Sequence, residues 1–340
     1  MKILVTGCSG FLGVPTVERL LAHGERDLRC FLRPGSKRDR LEAVLRRYPD
    51  AKVERFVGSL GSPQSAAEAV EGCDVVYHLA AALSGAPADM FLNTVVTTRH
   101  LLDAVRAQKK PPKIVHCSSF GVYGVAQLPR GAMVDESTPF EPHPERRDPY
   151  SQAKLRQEAL VWEYARQYAI PTVVLRPGVI YGPGGGAFST RVGLNLFGLF
   201  LHLGGKNLLP ITYVDNCAEA IAVAGRSPAA EGQAFNVVDD DLVTASRWLE
   251  LYRKRVKRIP TVRIPYAGLT VMSELVARYH KYSKGQLPAV FTRYKSATTW
   301  GGNRFDNTKL KSLGWRPIVS TEDGLSRAFE DLKARTALAS

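Results

Sequence analysis

A glycine-rich turn directly after the first predicted strand constrains this chain more than any other feature. Residues 3–5 are apolar and predict a buried parallel strand, and Gly7, Gly10 and Gly13 follow before a segment with helical spacing. Glycines at these positions permit a tight turn, leave room for a pyrophosphate and allow the helix to pack closely, so that phosphates meet free N–H groups at the positive helix end. The sequence therefore predicts a dinucleotide-binding turn.

Length and composition restrict the remaining possibilities. With 340 residues, the chain is long enough for one large α/β domain with a smaller lobe. Its five cysteines lack the spacing of a metal site and predict buried free thiols in a reducing compartment, so we expect no metal. The chain begins with a strand instead of a targeting segment, and no apolar run reaches the roughly 18 residues of a membrane span. We expect a cytoplasmic protein without an integral membrane segment.

The formal net charge of +14 would attract anions, and nucleic acid is the first partner to consider. The basic residues are spread along the chain, are densest at residues 253–258, and are not accompanied by a recognisable nucleic-acid module. We therefore expect no nucleic acid, and we interpret the dense run as a solvated helix face. Attraction to an acidic substrate or to lipid headgroups is the alternative.

The residue that follows the second predicted strand, residues 28–32, bears on the choice of cofactor. In doubly wound folds this residue lies beside the adenosine ribose. Here it is Arg33, followed closely by Ser36, Lys37 and Arg38. An Asp or Glu would accept from both ribose hydroxyls and select NAD, whereas a guanidinium and an ammonium suit a 2′-phosphate. We expect NADP(H) as the preferred cofactor, with NAD(H) as the alternative.

Hydroxyl groups follow the fifth predicted strand, at the sheet edge where ligands of doubly wound folds bind. Ser118 and Ser119 lie in this exit loop, and about thirty residues later Tyr150 and Lys154 lie one turn apart on the same face of a predicted helix. A phenol has a pKa of about 10, and a nearby ammonium and an oxidised nicotinamide both favour its phenolate. The four residues together predict acid–base chemistry beside a cofactor.

The order and spacing of these motifs resemble the extended branch of the short-chain dehydrogenase/reductase superfamily over nearly the whole chain. The glycines follow the pattern G-x-x-G-x-x-G, and the Tyr-x-x-x-Lys pair follows the strand-borne serines as it does in that family. The resemblance implies an α/β fold with a doubly wound parallel sheet (Rossmann) and a smaller, discontinuous C-terminal substrate lobe. The NAD(P)-binding domain would comprise residues 1–177 and 211–240, and the lobe residues 178–210 and 241–340.

The resemblance also implies roles for individual residues. Ser119, Tyr150 and Lys154 would be catalytic: the serine would hold the substrate oxygen, the tyrosine would transfer the proton, and the lysine would stabilise the phenolate and anchor the ribose. The implied cofactor-binding residues are Gly7, Ser9, Gly10, Phe11, Leu12, Gly13, Arg33, Lys37, Ser59, Leu60, Leu79, Ala80, Ala81, Asn93, Ser118, Tyr150, Lys154, Pro177 and Val179. We further expect a small-molecule substrate and a homodimer.

Three departures from family patterns favour one branch. Phe120 and Gly121 stand where sugar-nucleotide dehydratases carry an Asp-Glu pair, and Gly178 stands where many sugar-nucleotide epimerases have an amide that faces the diphosphate. The segment before Val214 lacks the arginine that epimerases often carry there. Residues 213–220 and 231–237 resemble the 3β-hydroxysteroid dehydrogenase and dihydroflavonol reductase branches. The resemblance therefore implies an NAD(P)-dependent oxidoreductase that interconverts a ketone and a secondary alcohol on an apolar or lipid-like molecule. An NAD-dependent nucleotide-sugar epimerase is the alternative.

Two apolar segments of the expected lobe have more than one interpretation. Residues 192–201 are uncharged and rich in Leu and Phe, and they would suit either the wall of an apolar pocket or a core or dimer helix. Residues 266–282 favour a packed helix, with a lid or a membrane-surface helix as alternatives. The basic residues of the lobe that could instead bind a diphosphate are Arg191, Lys206, Arg293 and Arg304.

Overall fold

The computed structural model describes residues 1–196, 198–282 and 292–338. The strands, in chain order, are β1 (Lys2–Thr6), β2 (Asp27–Leu32), β3 (Lys52–Val57), β4 (Val75–His78), β5 (Lys113–Cys117), β6 (Met133–Val134), β7 (Thr172–Pro177), β8 (Val179–Tyr181), β9 (Gly193–Leu196), β10 (Leu199–His202), β11 (Ile211–Tyr213), β12 (Gln233–Val237), β13 (Thr261–Arg263) and β14 (Arg304–Phe305). The α-helices are α1 (Gly13–Ala22), α2 (Asp39–Leu45), α3 (Pro63–Val70), α4 (Pro87–Phe91), α5 (Thr97–Arg106), α6 (Pro149–Gln167), α7 (Val214–Arg226), α8 (Ala245–Arg255), α9 (Tyr266–Tyr282), α10 (Arg293–Trp300), α11 (Thr308–Lys311) and α12 (Thr321–Leu338). A π-helical turn, Leu92–Val96, joins α4 to α5.

Seven strands form the central sheet, in the order β12-β7-β5-β4-β1-β2-β3, and they all pair in parallel. Strands β2 and β3 extend from one side of β1, whereas β4, β5, β7 and β12 extend from the other. This reversal opens a crevice beyond the carboxyl ends of β1 and β4, which is where doubly wound sheets bind ligands. The predicted fold class is confirmed.

Burial on both faces explains why these apolar runs form parallel strands. On β1, Ile3 and Val5 project into the helix layer that contains α1 and α7, whereas Leu4 projects into the layer that contains α3, α5 and α6. Successive residues of a strand point to opposite faces, so a strand that is covered on both sides has a continuous apolar sequence. The helices therefore cover both faces of the sheet, and its carboxyl edge is left for ligands.

The second lobe is formed by segments that leave the sheet domain and return to it. It contains a small sheet of order β13-β10-β9. An aromatic cluster that includes Tyr181 and Trp248 joins β8, α8 and α12. Leu310 and Trp315, which lie in the residue range expected for the lobe, pack instead in the core of the sheet domain with residues of α1 and α7.

The apolar segment at residues 192–201 is a β-hairpin, so the expectation of a core or dimer helix is wrong. Strands β9 and β10 pair antiparallel with Leu199 opposite Leu196, and Gly198 has a φ of +82° beside the turn, which glycine adopts without strain. Phe197 lies outside the described residues. Phe200 is buried, whereas both leucines are partly exposed, and the hairpin does not line the main cleft.

Residues 266–282 form a helix, α9, as predicted. One side of this helix is fixed to the lobe, because Leu269 and Ser273 are fully buried. In the part of the chain that the structure describes, no helix has both the length and the apolar character needed to cross a membrane.

Candidate active site

The turn between β1 and α1 has the geometry that a pyrophosphate requires. Gly7 has a φ of +72°, and a Cβ there would lie 3.0 Å from the backbone nitrogen of Ala80. A Cβ at Gly13 would lie 1.9 Å from the carbonyl oxygen of Gly7, so α1 can approach the turn only without a side chain at this position. No side chain caps the start of α1. Val14 donates its N–H to the carbonyl oxygen of Gly10 at 3.2 Å, and Pro15 has no N–H. The N–H of Gly13 has no partner among the described residues and remains available to an anion.

A cleft of about 680 Å³ opens beside this turn. Most of the predicted site residues line it, namely Gly7, Ser9, Gly10, Phe11, Leu12, Gly13, Arg33, Ser59, Leu60, Leu79, Ala80, Ala81, Asn93, Ser118, Ser119, Tyr150, Lys154 and Pro177. Lys37 and Val179 do not line it: Lys37 is exposed, and Val179 packs against the aromatic core of the lobe. One cavity thus brings together the glycine turn, the two serines and the Tyr-Lys pair.

Arg33 lies at the open end of this cleft, directly after β2. Its side chain is exposed and, among the described residues, has neither a hydrogen-bond nor an ion-pair partner. The neighbouring Phe31 and Ser36 also line the cleft. The guanidinium is therefore free to bind a ligand at this end of the cavity.

Tyr150 lies in the first turn of α6, beside Ser119. Asp148 caps the helix by accepting a hydrogen bond from the N–H of Ser151 at 3.0 Å, and Pro149 occupies the first helical position. Burial raises the pKa of Tyr150 to about 12, against a lowering by its hydrogen bond with Ser119. Burial disfavours the charged phenolate and is the largest of the effects on this pKa. At neutral pH the hydroxyl is protonated and can act as a proton donor.

Lys154 lies one turn farther along α6 and is buried. Its Nζ donates to the carbonyl oxygen of Cys117 at 2.6 Å and to Oε1 of Gln157 at 2.5 Å. Burial lowers the pKa of Lys154 to about 8. The side chain is therefore charged below about pH 8 and neutral above it. An ammonium has three donors, so one remains for a ligand hydroxyl.

A buried ion pair lies behind Ser118 and Ser119, and the sequence reasoning missed it. Arg176 of β7 donates to Oε1 of Glu158 from Nη2 at 2.6 Å and from Nε at 3.0 Å, and the two side chains are 6% and 0% exposed. Ser118 also donates to this carboxylate. The pair therefore holds the loop that carries Ser119 against the helix that carries Tyr150.

A second missed residue, Gln157, holds the lysine from the other side. Its Nε2 donates to Oγ1 of Thr98 at 2.8 Å, and Thr98 is also hydrogen-bonded to Nε2 of His78 at 2.8 Å. A chain of polar groups thus connects Lys154 through α5 to β4. One signal was present in the sequence: Glu158 follows Lys154 by four residues, and a carboxylate on the buried face of a helix indicates a buried partner.

Other lining residues come from segments whose position only the tertiary structure defines. They are Phe31, Ser36, Gly61, Ala82, Leu83, Ser84, Asp89, Thr97, Cys117, Gly178 and Ile180. The basic residues considered for a diphosphate, Arg191, Lys206, Arg293 and Arg304, do not line this cleft. Within the described ranges, no group of three or more His, Cys, Asp or Glu residues could hold a metal ion.

Comparison with known proteins places this site in a family. The model of the NAD dependent epimerase/dehydratase family matches residues 3–237. A 2-alkyl-3-oxoalkanoate reductase from Shewanella oneidensis is 28% identical, over 95% of this chain and 84% of its own. A decarboxylating sterol-4-alpha-carboxylate 3-dehydrogenase from Candida albicans is 28% identical over 97% of both chains.

The fold has a similar solved counterpart. The structure of UDP-glucuronic acid 4-epimerase from Bacillus cereus in complex with NAD superposes with a TM-score of 0.71 at 21% identity, over 98% of this chain and 99% of that one. This likeness concerns the fold, whereas the family match covers well over half of the sequence. The chain therefore belongs to the NAD dependent epimerase/dehydratase family and is an enzyme of the extended short-chain dehydrogenase/reductase type that uses a nicotinamide cofactor.

Proposed function

We propose that this enzyme interconverts a ketone and a secondary alcohol on an apolar or lipid-like small molecule. The observation that carries the proposal is that the hydroxyl-bearing side chains of Ser119 and Tyr150 line the same cleft as the glycine turn, with Lys154 one helical turn from Tyr150. Two hydroxyl donors at one point suit a single substrate oxygen. The names of two relatives point the same way, because one reduces a 2-alkyl-3-oxoalkanoate and the other dehydrogenates a sterol carboxylate.

The proposed mechanism assigns one task to each catalytic residue. When bound, the nicotinamide supplies hydride to the carbonyl carbon or accepts it from the alcohol. In the reducing direction, Ser119 donates a hydrogen bond to the carbonyl oxygen and Tyr150 transfers its proton to the developing alkoxide. The charge on Lys154 stabilises the phenolate that remains, and its third donor binds the ribose. The raised pKa of Tyr150 suits this direction because the phenol must begin protonated.

The cofactor in this proposal is NADP(H), with NAD(H) as the alternative. Its support is the guanidinium of Arg33, which lines the cleft directly after β2 and has no hydrogen-bond or ion-pair partner among the described residues. Losing a charged hydrogen-bond partner of a phosphate costs about 1.5–3 kcal/mol, so Arg33→Asp should weaken NADPH binding by roughly ten- to a hundredfold. Arg46→Asp is the matched control, since it makes the same charge change at an exposed position outside the cleft. Equal or tighter binding of NADH by the wild type would contradict the preference.

The alternative function, a nucleotide-sugar epimerase, would use the same catalytic residues with a retained NAD. One structural observation weighs against it. A Cβ at Gly178 would lie 2.0 Å from the carbonyl oxygen of Pro210, so the backbone there has no room for the amide side chain that faces the diphosphate in many epimerases. The basic residues of the lobe also do not line the cleft.

A substrate screen tests the proposal. NADPH absorbance would be followed with 3-oxo acids and ketosteroids, and calorimetry would measure the binding of uridine, thymidine and guanosine diphosphate sugars at low and moderate salt. We expect turnover of an apolar ketone and loosely held NADP(H). Micromolar, salt-sensitive binding of a diphosphate sugar, together with NAD retained through purification, would favour the epimerase. The cytoplasmic location and the homodimer stay predictions, and light scattering tests the latter.

A further inference from the structure

We propose that the second lobe carries a docking surface for the anionic face of a phospholipid bilayer. This surface, called the α9 surface below, consists of the outer side of α9 and the uncovered half of the β9-β10-β13 sheet. Its exposed apolar side chains are Leu196, Leu199, Val262, Val271, Leu275, Tyr279 and Tyr282. The proposal concerns binding to a membrane surface, and it does not depend on the reaction proposed above.

The outer side of α9 carries an apolar stripe beside the exposed Glu274–Arg278 pair. Val271, Leu275, Tyr279 and Tyr282 follow one another at intervals of four, four and three residues, so they form one stripe along the helix. Their exposed fractions are 62%, 61%, 54% and 85%. A helix that only packs against its own protein exposes charged and polar residues on this side. The stripe therefore indicates that α9 contacts an apolar partner outside the protein, in addition to the core of the lobe.

Strand register extends the same apolar character to the small sheet. Leu199 pairs with Leu196, and Leu201 pairs with both Leu194 and Val262. Because alternate residues of a strand share a face, these five side chains lie on one face of the sheet. The buried side of α9 packs against Leu194 and Leu201. The other three are 37% to 44% exposed, so this face is only half covered.

The segment that leads into β13 is strongly positive and adjoins the hairpin part of this surface, because the N–H of Phe200 donates to the carbonyl oxygen of Pro260 at 2.9 Å. Residues 253–282 contain eight Lys or Arg residues but only one acidic residue, Glu274, which pairs with Arg278. Arg253, Lys254 and Lys257 are exposed, and their side chains form no ion pair with any described residue. Basic residues beside exposed apolar side chains are the composition of a helix that lies in the interfacial region of an anionic membrane.

A bilayer accounts for these features better than a second copy of the chain does. In a two-fold interface the same patch faces itself, so the cations beside the α9 surface would be brought against one another. An anionic bilayer neutralises them and also accepts the apolar stripe. None of the helices in the described ranges could cross a membrane, so the contact would be peripheral.

The α9 surface is also linked to the catalytic helix. Ser273 on the buried side of α9 is hydrogen-bonded to Ser296 of α10 at 2.9 Å. On the same helix α10, Tyr294 donates to Glu141, which is paired with Arg147 at 2.8 Å, directly before α6. These contacts connect α9 through α10 to the segment that precedes α6.

Vesicle flotation tests the proposal with the full-length protein and no substrate. We would compare vesicles of phosphatidylcholine alone with vesicles of phosphatidylcholine and phosphatidylglycerol. We expect binding to the anionic vesicles to be at least about tenfold tighter, and to weaken at high salt as the charges are screened. Equal binding to both kinds of vesicle, or binding to neither, would overturn the proposal.

Two variants separate the apolar contribution to vesicle binding from the electrostatic contribution. Leu275→Gln with Tyr279→Gln removes part of the stripe and should weaken binding to anionic vesicles by about tenfold or more. Arg253→Gln with Lys254→Gln and Lys257→Gln removes three charges and should weaken binding by roughly a hundredfold. All five side chains are exposed, so the variants should retain the wild-type melting temperature, which is measured alongside.

Matched controls make the same changes elsewhere on the surface. Leu338→Gln replaces an exposed leucine at the end of α12, and Arg46→Gln with Lys109→Gln and Lys110→Gln removes three exposed charges from the sheet domain. Both controls should bind anionic vesicles like the wild type. An equal loss in the three-charge control would show that overall charge, and not the α9 surface, causes binding.

Light scattering tests whether a second copy of the chain, and not a bilayer, covers the α9 surface. If Leu275→Gln with Tyr279→Gln converts a dimer to a monomer and leaves vesicle binding unchanged, the surface is an interface between copies and the proposal is wrong. A loss of vesicle binding without a change in mass supports it. Because the flotation assay needs no substrate, a failure to find the proposed reaction would not affect the vesicle-binding result. A failure to bind vesicles would likewise leave the proposed reaction untouched.

Discussion

The sheet domain and the second lobe both contribute residues to the cleft, but different interactions hold their functional groups in place. On the sheet side, the groups that would act on a ligand are fixed by backbone geometry and by buried polar contacts, as in the Gly7 to Gly13 turn and the Glu158–Arg176 pair. In the lobe, α9 is held through buried Leu269 and Ser273 but leaves an apolar stripe in solvent. The difference is that buried polar contacts fix the candidate site in the sheet domain, whereas the lobe leaves apolar side chains available to an external partner.

The two regions also differ in how their charges are used. Behind Ser118 and Ser119, Arg176 is buried and paired, and its pKa is raised by Glu158 even though burial acts in the opposite direction. Beside the α9 surface, Arg253, Lys254 and Lys257 are exposed and unpaired with any described residue. Paired buried charges position a site, whereas exposed unpaired charges are available to an external partner.

The largest effect should come from the proton donor on the sheet side. Tyr150→Phe removes the acid–base hydroxyl and little else, so it should lower kcat by about 10²- to 10⁴-fold and leave cofactor affinity nearly unchanged. Lys154→Ala should lower both turnover and cofactor affinity, because the lysine is expected to serve the phenolate and the ribose. Steady-state kinetics and cofactor titration measure the two effects.

The control for this prediction is Tyr164→Phe on the same helix. Tyr164 donates to Asp103 at 2.9 Å, away from the cleft, and its loss should leave turnover unchanged. Substantial activity in Tyr150→Phe would show that the catalytic assignment is wrong. The sheet domain could then no longer be assigned the proton transfer.

The next largest effect should be on stability. Glu158→Gln leaves the guanidinium of Arg176 buried without a counter-charge, so it should lower the free energy of unfolding by about 3–5 kcal/mol, as measured by chemical denaturation. Glu163→Gln on the exposed side of the same helix should change it by less than about 0.5 kcal/mol. Similar losses in the two variants would show that the buried pair does not stabilise the sheet side.

The smallest effect is a pH dependence that comes from Lys154. Because burial lowers its pKa from the ordinary value to about 8, the ammonium is lost above that pH. The rate of carbonyl reduction should then fall by about tenfold per pH unit, while Tyr150, with a pKa of about 12, stays protonated. A profile of kcat/KM from pH 6 to 10 measures this decline.

Lys154→Arg is the control, since a guanidinium stays charged throughout this range, and its residual activity should not decline. The same shift has a consequence for stability. A lowered pKa in the folded state means that the buried charge destabilises the fold below about pH 8, and that this cost diminishes as the pH rises toward the unfolded value. A decline of kcat/KM with the same midpoint in Lys154→Arg would assign the titration seen in the kinetics to another group.

The sequence was sufficient for features that depend on local backbone geometry. Gly7 and Gly13 are required by one turn and its helix, so their spacing could be recognised without knowing the rest of the fold. Tyr150 and Lys154 share a helix face because of the helical period, and Asp148 and Pro149 mark where that helix begins. The alternating helices and apolar strands also sufficed for the doubly wound sheet.

Only the tertiary structure decided which distant groups meet. Arg176 and Glu158 lie on a strand and a helix whose packing brings them together, and sequence spacing between such elements carries no distance information. The hairpin at residues 192–201 escaped prediction because short apolar runs have no period that separates strand from helix. Burial likewise fixed the pKa values of Tyr150 and Lys154, because desolvation depends on every neighbouring segment and not on the residue's own position in the chain.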